Sequence, residues 1–223
     1  MKSKNTRRSS GFSLIELMTV VSIMAILTTV AVPSMKTAMI NAQMARATAN
    51  ARSIVIGLRA FATDNDGMFP SFDEESEEPF ADSNEAFRTL VPYYIDSEQI
   101  FTQGRSAWGK TADNRFEEPE DRLEAGENHY AYISGLTDTS RTGWPLVVDG
   151  TDGSGNYSSE VGEKGGCWEG RKAIMACVGG SASAIRLEGD KDERYLPREG
   201  YPDENALDVE YMGDDVMLLD PAE

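Results

Sequence analysis

The sequence predicts an α+β chain in which a long N-terminal helix packs on a small antiparallel β-sheet of three to four strands. The first half of that helix is predicted to cross a membrane. Three observations lead to this class. Residues 12–32 are mostly apolar and carry a single charge, apolar residues recur at helical spacing as far as residue 61, and strand-like segments bounded by turn residues begin at residue 128.

The charge of the chain is unevenly distributed. The net charge is −17 over 223 residues, but the first eleven residues contain four basic side chains and no acidic one. The remainder therefore carries −21. An acidic body of this kind repels the phosphate backbone, so the sequence predicts no nucleic-acid partner.

Residues 12–32 form the predicted membrane span. They contain a single charge, Glu16, and as a helix they would be about 32 Å long, enough to cross a bilayer core. The basic leader is expected to stay in the cytoplasm and the rest of the chain to lie outside it. The apolar run is longer than that of a secretory signal peptide (usually about 7–15 residues), although Thr29-Val30-Ala31 is a weak cleavage site.

The position of Glu16 distinguishes two interpretations of the span, a plain membrane anchor and an anchor that is processed by cleavage. In a plain anchor its carboxylate would only reach the headgroups from the cytoplasmic end of the span. If the chain is cut between Gly11 and Phe12, Glu16 becomes the fifth residue of the mature chain and lies close to a new α-amino group. A carboxylate in hydrocarbon is stabilised by such a cation.

The stretch "GFSLIELMTVVSIMAILTTVAVP" (11–33) closely resembles the class III signal of type IV prepilins and type II secretion pseudopilins. The resemblance implies that a prepilin peptidase cuts after Gly11 and methylates Phe12. It also implies that Glu16 pairs with the N-terminal amine of a neighbouring subunit during assembly, and that Pro33 lets the helix extend or melt as subunits pack. Methylation retains the positive charge of the amine.

The resemblance implies a structural subunit rather than an enzyme: a pseudopilin of a type II secretion or type IV pilus-like filament. Its expected partners are the membrane, the peptidase and methylase, the inner-membrane assembly platform and other pseudopilins. Its expected location is the bacterial inner membrane, with the head in the periplasm. The chain would divide into a cleaved leader (1–11), a transmembrane half-helix (12–32), a soluble half-helix (33–63) and an acidic pilin-like head (64–223). The presence of Glu16 favours a major-type subunit.

The helix is expected to resume after Pro33, which cannot donate a backbone hydrogen bond. An apolar stripe then follows alternating steps of four and three residues, typical of a helix face packed on a core. The stripe consists of Ile40, Met44, Ala47, Ala51, Ile54, Leu58 and Phe61. The segment "DNDGMFP" (64–70) ends the helix, with Asn65 or Gly67 in the left-handed conformation.

The head is predicted to contain one short helix and several strands. The helix covers 83–95, with Ser83 or Asn84 as its N-cap. Strands are predicted within 128–136, 144–150 and 172–187, the last divided by a turn at Gly179-Gly180. The segment "VMLL" (216–219) is expected to dock on the sheet.

Candidate sites in the head are few. Asp149, Asp152 and Asn156 lie in "DGTDGSGN" (149–156) and could offer oxygens to calcium, although turn chemistry explains the same residues. No other cofactor is predicted. Cys167 and Cys177 either form one disulfide or remain two buried thiols. No nucleophile occurs in a catalytic elbow, so the sequence does not predict an enzyme.

The sequence leaves a second class of function open. The chain could be an uncleaved, single-pass anchor that presents a binding module for sugar or calcium outside the cytoplasm. In that case residues 1–11 would be retained and Glu16 would be dispensable.

Overall fold

The computed structural model describes residues 12–222 apart from 74, 75, 77, 117, 119, 120 and 192. The leader 1–11, including the cleavage residue Gly11, lies outside the described residues. The chain forms two compact units, Met1–Ala42 and Gln43–Glu223. The predicted boundary at residue 32 separates a transmembrane half of the helix from a soluble half. It depends on burial in lipid and stays a prediction.

Helix α1 covers Leu14–Asp64 and supplies residues to both units. Pro33 lies inside it, so the helix continues beyond the proline as predicted. In the first unit the helix has no buried residue among those described: positions 12–39 are exposed and Ile40 is half-buried.

In the second unit the apolar stripe of α1 meets the head domain. Most of the predicted stripe residues in this unit are buried: Ala47, Ala51, Ile54 and Leu58 are buried, and Met44 and Phe61 are half-buried. Arg52 and Arg59, which lie on another face of the helix, are exposed. The Tyr130 hydroxyl donates a hydrogen bond of 2.8 Å to the Ala47 carbonyl. The predicted packing of this half of the helix on the sheet is therefore confirmed.

The helix ends where the sequence predicts. The backbone N–H of Gly67 donates to the Ala62 carbonyl at 2.8 Å. Gly67 has a φ of +82° and Asp66 a φ of +52°, so both lie in the left-handed region. Of the two predicted candidates, it is Gly67 that takes this conformation, which glycine adopts without steric cost.

The short helix α2 spans Ser83–Arg88, inside the predicted range 83–95. Its N-cap is Asp82, whose carboxylate accepts a backbone hydrogen bond of 3.0 Å from the first turn. The prediction of Ser83 or Asn84 as the cap is wrong. Both side chains are buried and bond to other segments of the head instead.

The head contains a five-stranded antiparallel sheet and a separate two-stranded one. The strands are β1 Tyr130–Ser134, β2 Pro145–Asp149, β3 Lys172–Cys177, β4 Ala182–Arg186, β5 Pro197–Arg198, β6 Tyr201–Asn205 and β7 Met217–Leu219. The order in the main sheet is β4-β3-β2-β1-β7, and β5 pairs with β6. Every residue of β1 and β2 is buried, so the core lies on both faces of the sheet centre.

The α+β class is confirmed, with one strand more in the main sheet than the three to four predicted. The additional strand is β7, which lies within "VMLL" and pairs antiparallel with β1, placing Leu219 opposite Tyr132. The head also contains two short 3-10 helices, Glu98–Phe101 and Val209–Tyr211.

Candidate functional site

The described part of the processing segment begins at Phe12, whose side chain is 80% exposed. Two residues later α1 begins, and Glu16 lies in its first turn. The Glu16 carboxylate folds back along the helix and accepts a hydrogen bond of 2.9 Å from the Ser13 backbone N–H. An acidic group at this position also interacts favourably with the helix dipole.

The first unit presents an apolar surface that nothing in the described chain covers. An 18-residue window of α1 near the N-terminus has a mean hydropathy of 2.2, and none of it is buried. By length and composition the helix can cross a membrane. Large exposed apolar patches mark surfaces that bind lipid or other proteins.

The polar side chains of this segment are compatible with that surface. Their hydroxyls donate to backbone carbonyls three or four residues earlier, at distances of 2.7–3.2 Å. The hydroxyls belong to Thr19, Ser22, Thr28, Thr29, Ser34 and Thr37. A polar group with an internal partner can enter a bilayer at little cost. Between Phe12 and Met35, Glu16 is the one charged side chain.

Pro33 removes one backbone donor from α1. Proline has no N–H, so one carbonyl in the preceding turn lacks its usual helical partner. The Thr37 hydroxyl donates to the Pro33 carbonyl at 3.2 Å, which supplies an additional bond one turn later. Because Pro33 lacks the N–H, the apolar segment loses one backbone hydrogen bond at this position.

Asp149, a calcium candidate, is at the centre of a buried hydrogen-bond cluster. Its carboxylate is 2% exposed and accepts from the Trp168 indole N–H at 2.8 Å, the Ile174 backbone N–H at 2.6 Å and the Gln103 amide at 2.5 Å. Burial raises its pKa to about 6, although the three donors oppose that shift. Both of its carboxylate oxygens therefore accept hydrogen bonds from other groups of the protein.

Asp152 and Asn156, the other two candidates, belong to an exposed turn. The Asp152 carboxylate accepts from the Ser154 backbone and hydroxyl and from the Asn156 backbone N–H, at 2.8, 2.6 and 3.2 Å. This is the turn chemistry considered as the alternative. Asp149 does not share these hydrogen bonds, because its carboxylate accepts from the buried cluster instead. Calcium binding by the three residues stays a prediction.

Both cysteines are free thiols buried in the head. The Cys167 thiol donates to the Gln103 side-chain carbonyl at 3.0 Å, which directs it into the Asp149 cluster. Burial raises the pKa of each thiol, so neither is an activated nucleophile. The two thiols are not bridged in this structure, and the choice between a disulfide and two buried thiols in the protein stays a prediction.

Sequence reasoning missed a cluster of three carboxylates in the head, formed by Glu98, Asp113 and Glu127. An oxygen from each lies within 4.8 Å of an oxygen from the other two. The three residues are separated by 15 and 14 positions and share no motif. Only the folded chain brings them together.

Residues 6–32 match the family model of the prokaryotic N-terminal methylation motif, which covers about an eighth of the chain. No curated protein and no solved structure matches the chain. The motif fits the N terminus of a processed, type IV pilin-like subunit. It implies cleavage by a prepilin peptidase and pilus-like assembly from the membrane, and it indicates a structural subunit rather than an enzyme. Together with the apolar helix it indicates membrane anchoring.

Proposed function

We propose that this chain is a pseudopilin, a structural subunit of a type II secretion or type IV pilus-like filament. The observation that carries the proposal is Glu16. It is the only charged side chain between Phe12 and Met35, on a helix surface that is otherwise apolar and exposed. It also lies inside the segment that matches the methylation motif.

The proposed mechanism is assembly through charge pairing in an apolar environment. Cleavage after Gly11 would leave a positively charged amine on Phe12. When helices pack side by side, the Glu16 carboxylate of one subunit would meet the Phe12 amine of its neighbour. Each charge alone is costly in hydrocarbon, and the pair is less so. Only one axial offset between neighbouring helices brings the two together, so the pair would set the register.

The proposal extends to partners and location. The leader would stay in the cytoplasm of a bacterial cell and the head would lie in the periplasm, with the subunit stored in the inner membrane before assembly. The assembly platform, the prepilin peptidase and methylase, and other pseudopilins would be its partners. Retention of Glu16 supports a major-type role, and the acidic head supports the absence of direct nucleic-acid binding.

A second candidate, an uncleaved anchor with a binding head, has one observation in its favour. The head has a cleft of about 700 Å³ beside β3 and β4, with Trp144 and Tyr211 among its lining residues. The Arg198 guanidinium lies 3.7 Å from the centroid of the Tyr211 ring. An aromatic wall with a cation beside it is suited to a small polar ligand.

Substitution of the cleavage residue separates the two functions. We expect Gly11→Val to leave residues 1–11 on the chain and to reduce recovery of the chain in filaments about tenfold or more, because no amine forms beside Glu16. The chain would be expressed in cells with a pilus-like assembly system, and its intact mass and filament content measured. Ser10→Ala is the matched control and should be processed normally. Normal filament content with an uncut leader would contradict the proposal and favour the anchored binding module.

A further inference from the structure

The carboxylate cluster in the head has an unusual member. Glu98 is fully buried at the end of the 3-10 helix nearest Ser97, and its backbone N–H donates to the Asn114 side chain at 2.9 Å. Its Oε1 accepts a hydrogen bond of 2.8 Å from the Leu123 backbone N–H. Its Oε2 is buried and has no hydrogen-bond partner among the described residues. A buried carboxylate oxygen without a partner is costly and requires an explanation.

The neighbours of Glu98 increase that cost. Glu127 is 2% exposed and Asp113 is exposed, and both contribute a carboxylate oxygen to the same small volume. Burial raises the pKa of Glu98, and the charges of Glu127 and Asp113 raise it further. Burial likewise raises the pKa of Glu127. Three converging carboxylates therefore repel one another unless a cation or a proton intervenes.

Two basic groups lie near the cluster, and among the described residues neither of them forms an ion pair with Glu98. The Lys110 ammonium is 3.8 Å from Glu127 Oε1 but makes its short contact, 2.6 Å, with the exposed Glu124. The Arg115 side chain is 3.9 Å from an oxygen of Asp113 and is largely exposed. Neither ion pair involves Glu98, whose unpaired oxygen belongs to the most buried of the three residues.

We propose that Glu98, Asp113 and Glu127 bind a divalent cation, with calcium as the preferred ion. Carboxylate oxygens are hard ligands, and calcium accepts several of them at about 2.3–2.6 Å, so that opposite ligands are about 4.8 Å apart. Magnesium keeps most of its water and usually takes one or two carboxylates. The ion would occupy the free position at Glu98 Oε2 and convert mutual repulsion into shared coordination.

The three ligands come from three different parts of the head. Glu98 is on the 3-10 helix, Asp113 is in the following loop and Glu127 immediately precedes the strand region of β1. Calcium would thus join the segment that carries Asp113 to the sheet. Its effect would be structural, and it would be independent of whether the chain assembles into filaments.

The test is calcium titration of the full-length chain in a non-ionic detergent, by calorimetry and by thermal unfolding. We expect CaCl₂ at about a hundred times its Kd to raise Tm by about 5–10 °C relative to EDTA. MgCl₂ at the same concentration should have a smaller effect.

Glu98→Gln should weaken calcium binding at least about tenfold and, in EDTA, should unfold at a higher temperature than the wild type, because it removes an unpaired buried charge. Glu118→Gln, an exposed acid in the same loop, should leave calcium binding unchanged.

A gain-of-affinity variant keeps the test decisive if Glu98→Gln does not fold. Lys110→Met removes the cation beside Glu127 and should tighten calcium binding severalfold, since the ammonium then no longer competes for that carboxylate. Absence of any calcium-dependent shift in Tm would overturn the proposal. So would calcium binding that is lost in Asp152→Asn but retained in Glu98→Gln, because that result would assign the ion to the 149–156 turn.

Discussion

Replacement of Glu16 by alanine is expected to abolish incorporation of the chain into filaments while leaving cleavage between Gly11 and Phe12 intact. The variant would leave the neighbouring Phe12 amine without its carboxylate inside an apolar helix bundle. Removing one partner of a buried ion pair costs about 3–5 kcal/mol, which corresponds to a hundredfold or greater loss of assembly. The measurement is the fraction of processed chain recovered in sheared filaments.

Glu16→Gln distinguishes this explanation from a local one. Glu16 also accepts a hydrogen bond from the Ser13 N–H at the start of α1, and glutamine can do the same. If charge pairing matters, glutamine and alanine should be equally defective; if the helix cap matters, glutamine should be normal. Ile15→Ala removes apolar packing area beside Glu16 but no charge, and it should assemble far better than Glu16→Ala. Normal assembly of Glu16→Ala would contradict the pairing mechanism.

Replacement of Asp149 by alanine is expected to have the largest effect on the stability of the head. It would leave the Trp168 indole N–H, the Ile174 backbone N–H and the Gln103 amide without their acceptor. Each unsatisfied buried donor costs about 1–3 kcal/mol, so we expect the free energy of unfolding to fall by about 3–5 kcal/mol. Denaturant unfolding of the full chain in detergent measures this loss.

Asp152→Ala is the matched control, three residues away. Its carboxylate is exposed and caps only its own turn, so the expected loss is about 1 kcal/mol or less. Equal losses for the two alanine variants would contradict the assignment of Asp149 to a structural cluster, and would show that the buried donors find other acceptors.

Asp149→Ala also gives a dependence of stability on pH with a defined sign. The pKa of Asp149 is raised to about 6 in the folded head, above the value of about 3.9 for an unfolded aspartate. The part of its stability contribution that depends on its bound proton is therefore fully present below about pH 4 and is lost as the pH rises through 6. Between those limits the stability difference between wild type and Asp149→Ala should shrink as the pH rises.

The sequence was most informative where one physical property dominates. The apolar composition of 12–32 and the isolated Glu16 predicted the N-terminal segment, and residues 6–32 match the methylation motif. The strands β3 and β4 were predictable because Gly179-Gly180 divides two apolar runs, and Gly180 has a φ of +84°. These are local signals that do not depend on the rest of the fold.

Features that depend on distant contacts were not predictable. The strands β5 and β6 contain mostly exposed, polar residues with no alternating pattern, so the sequence offered no strand signal. The loop residue Gln103 and the strand-end residue Asp149 meet only in the folded head. The same applies to the Glu98, Asp113 and Glu127 cluster, whose members are ordinary solvated acids when considered in sequence.

The most direct test of the pseudopilin assignment is the N-terminal mass of the protein isolated from its native membrane fraction. The assignment predicts a mature chain that begins at a methylated Phe12, with residues 1–11 removed. An intact chain starting at Met1 would contradict it and leave an ordinary anchor. A chain starting at Val32 would also contradict it, because it would identify a conventional signal peptide.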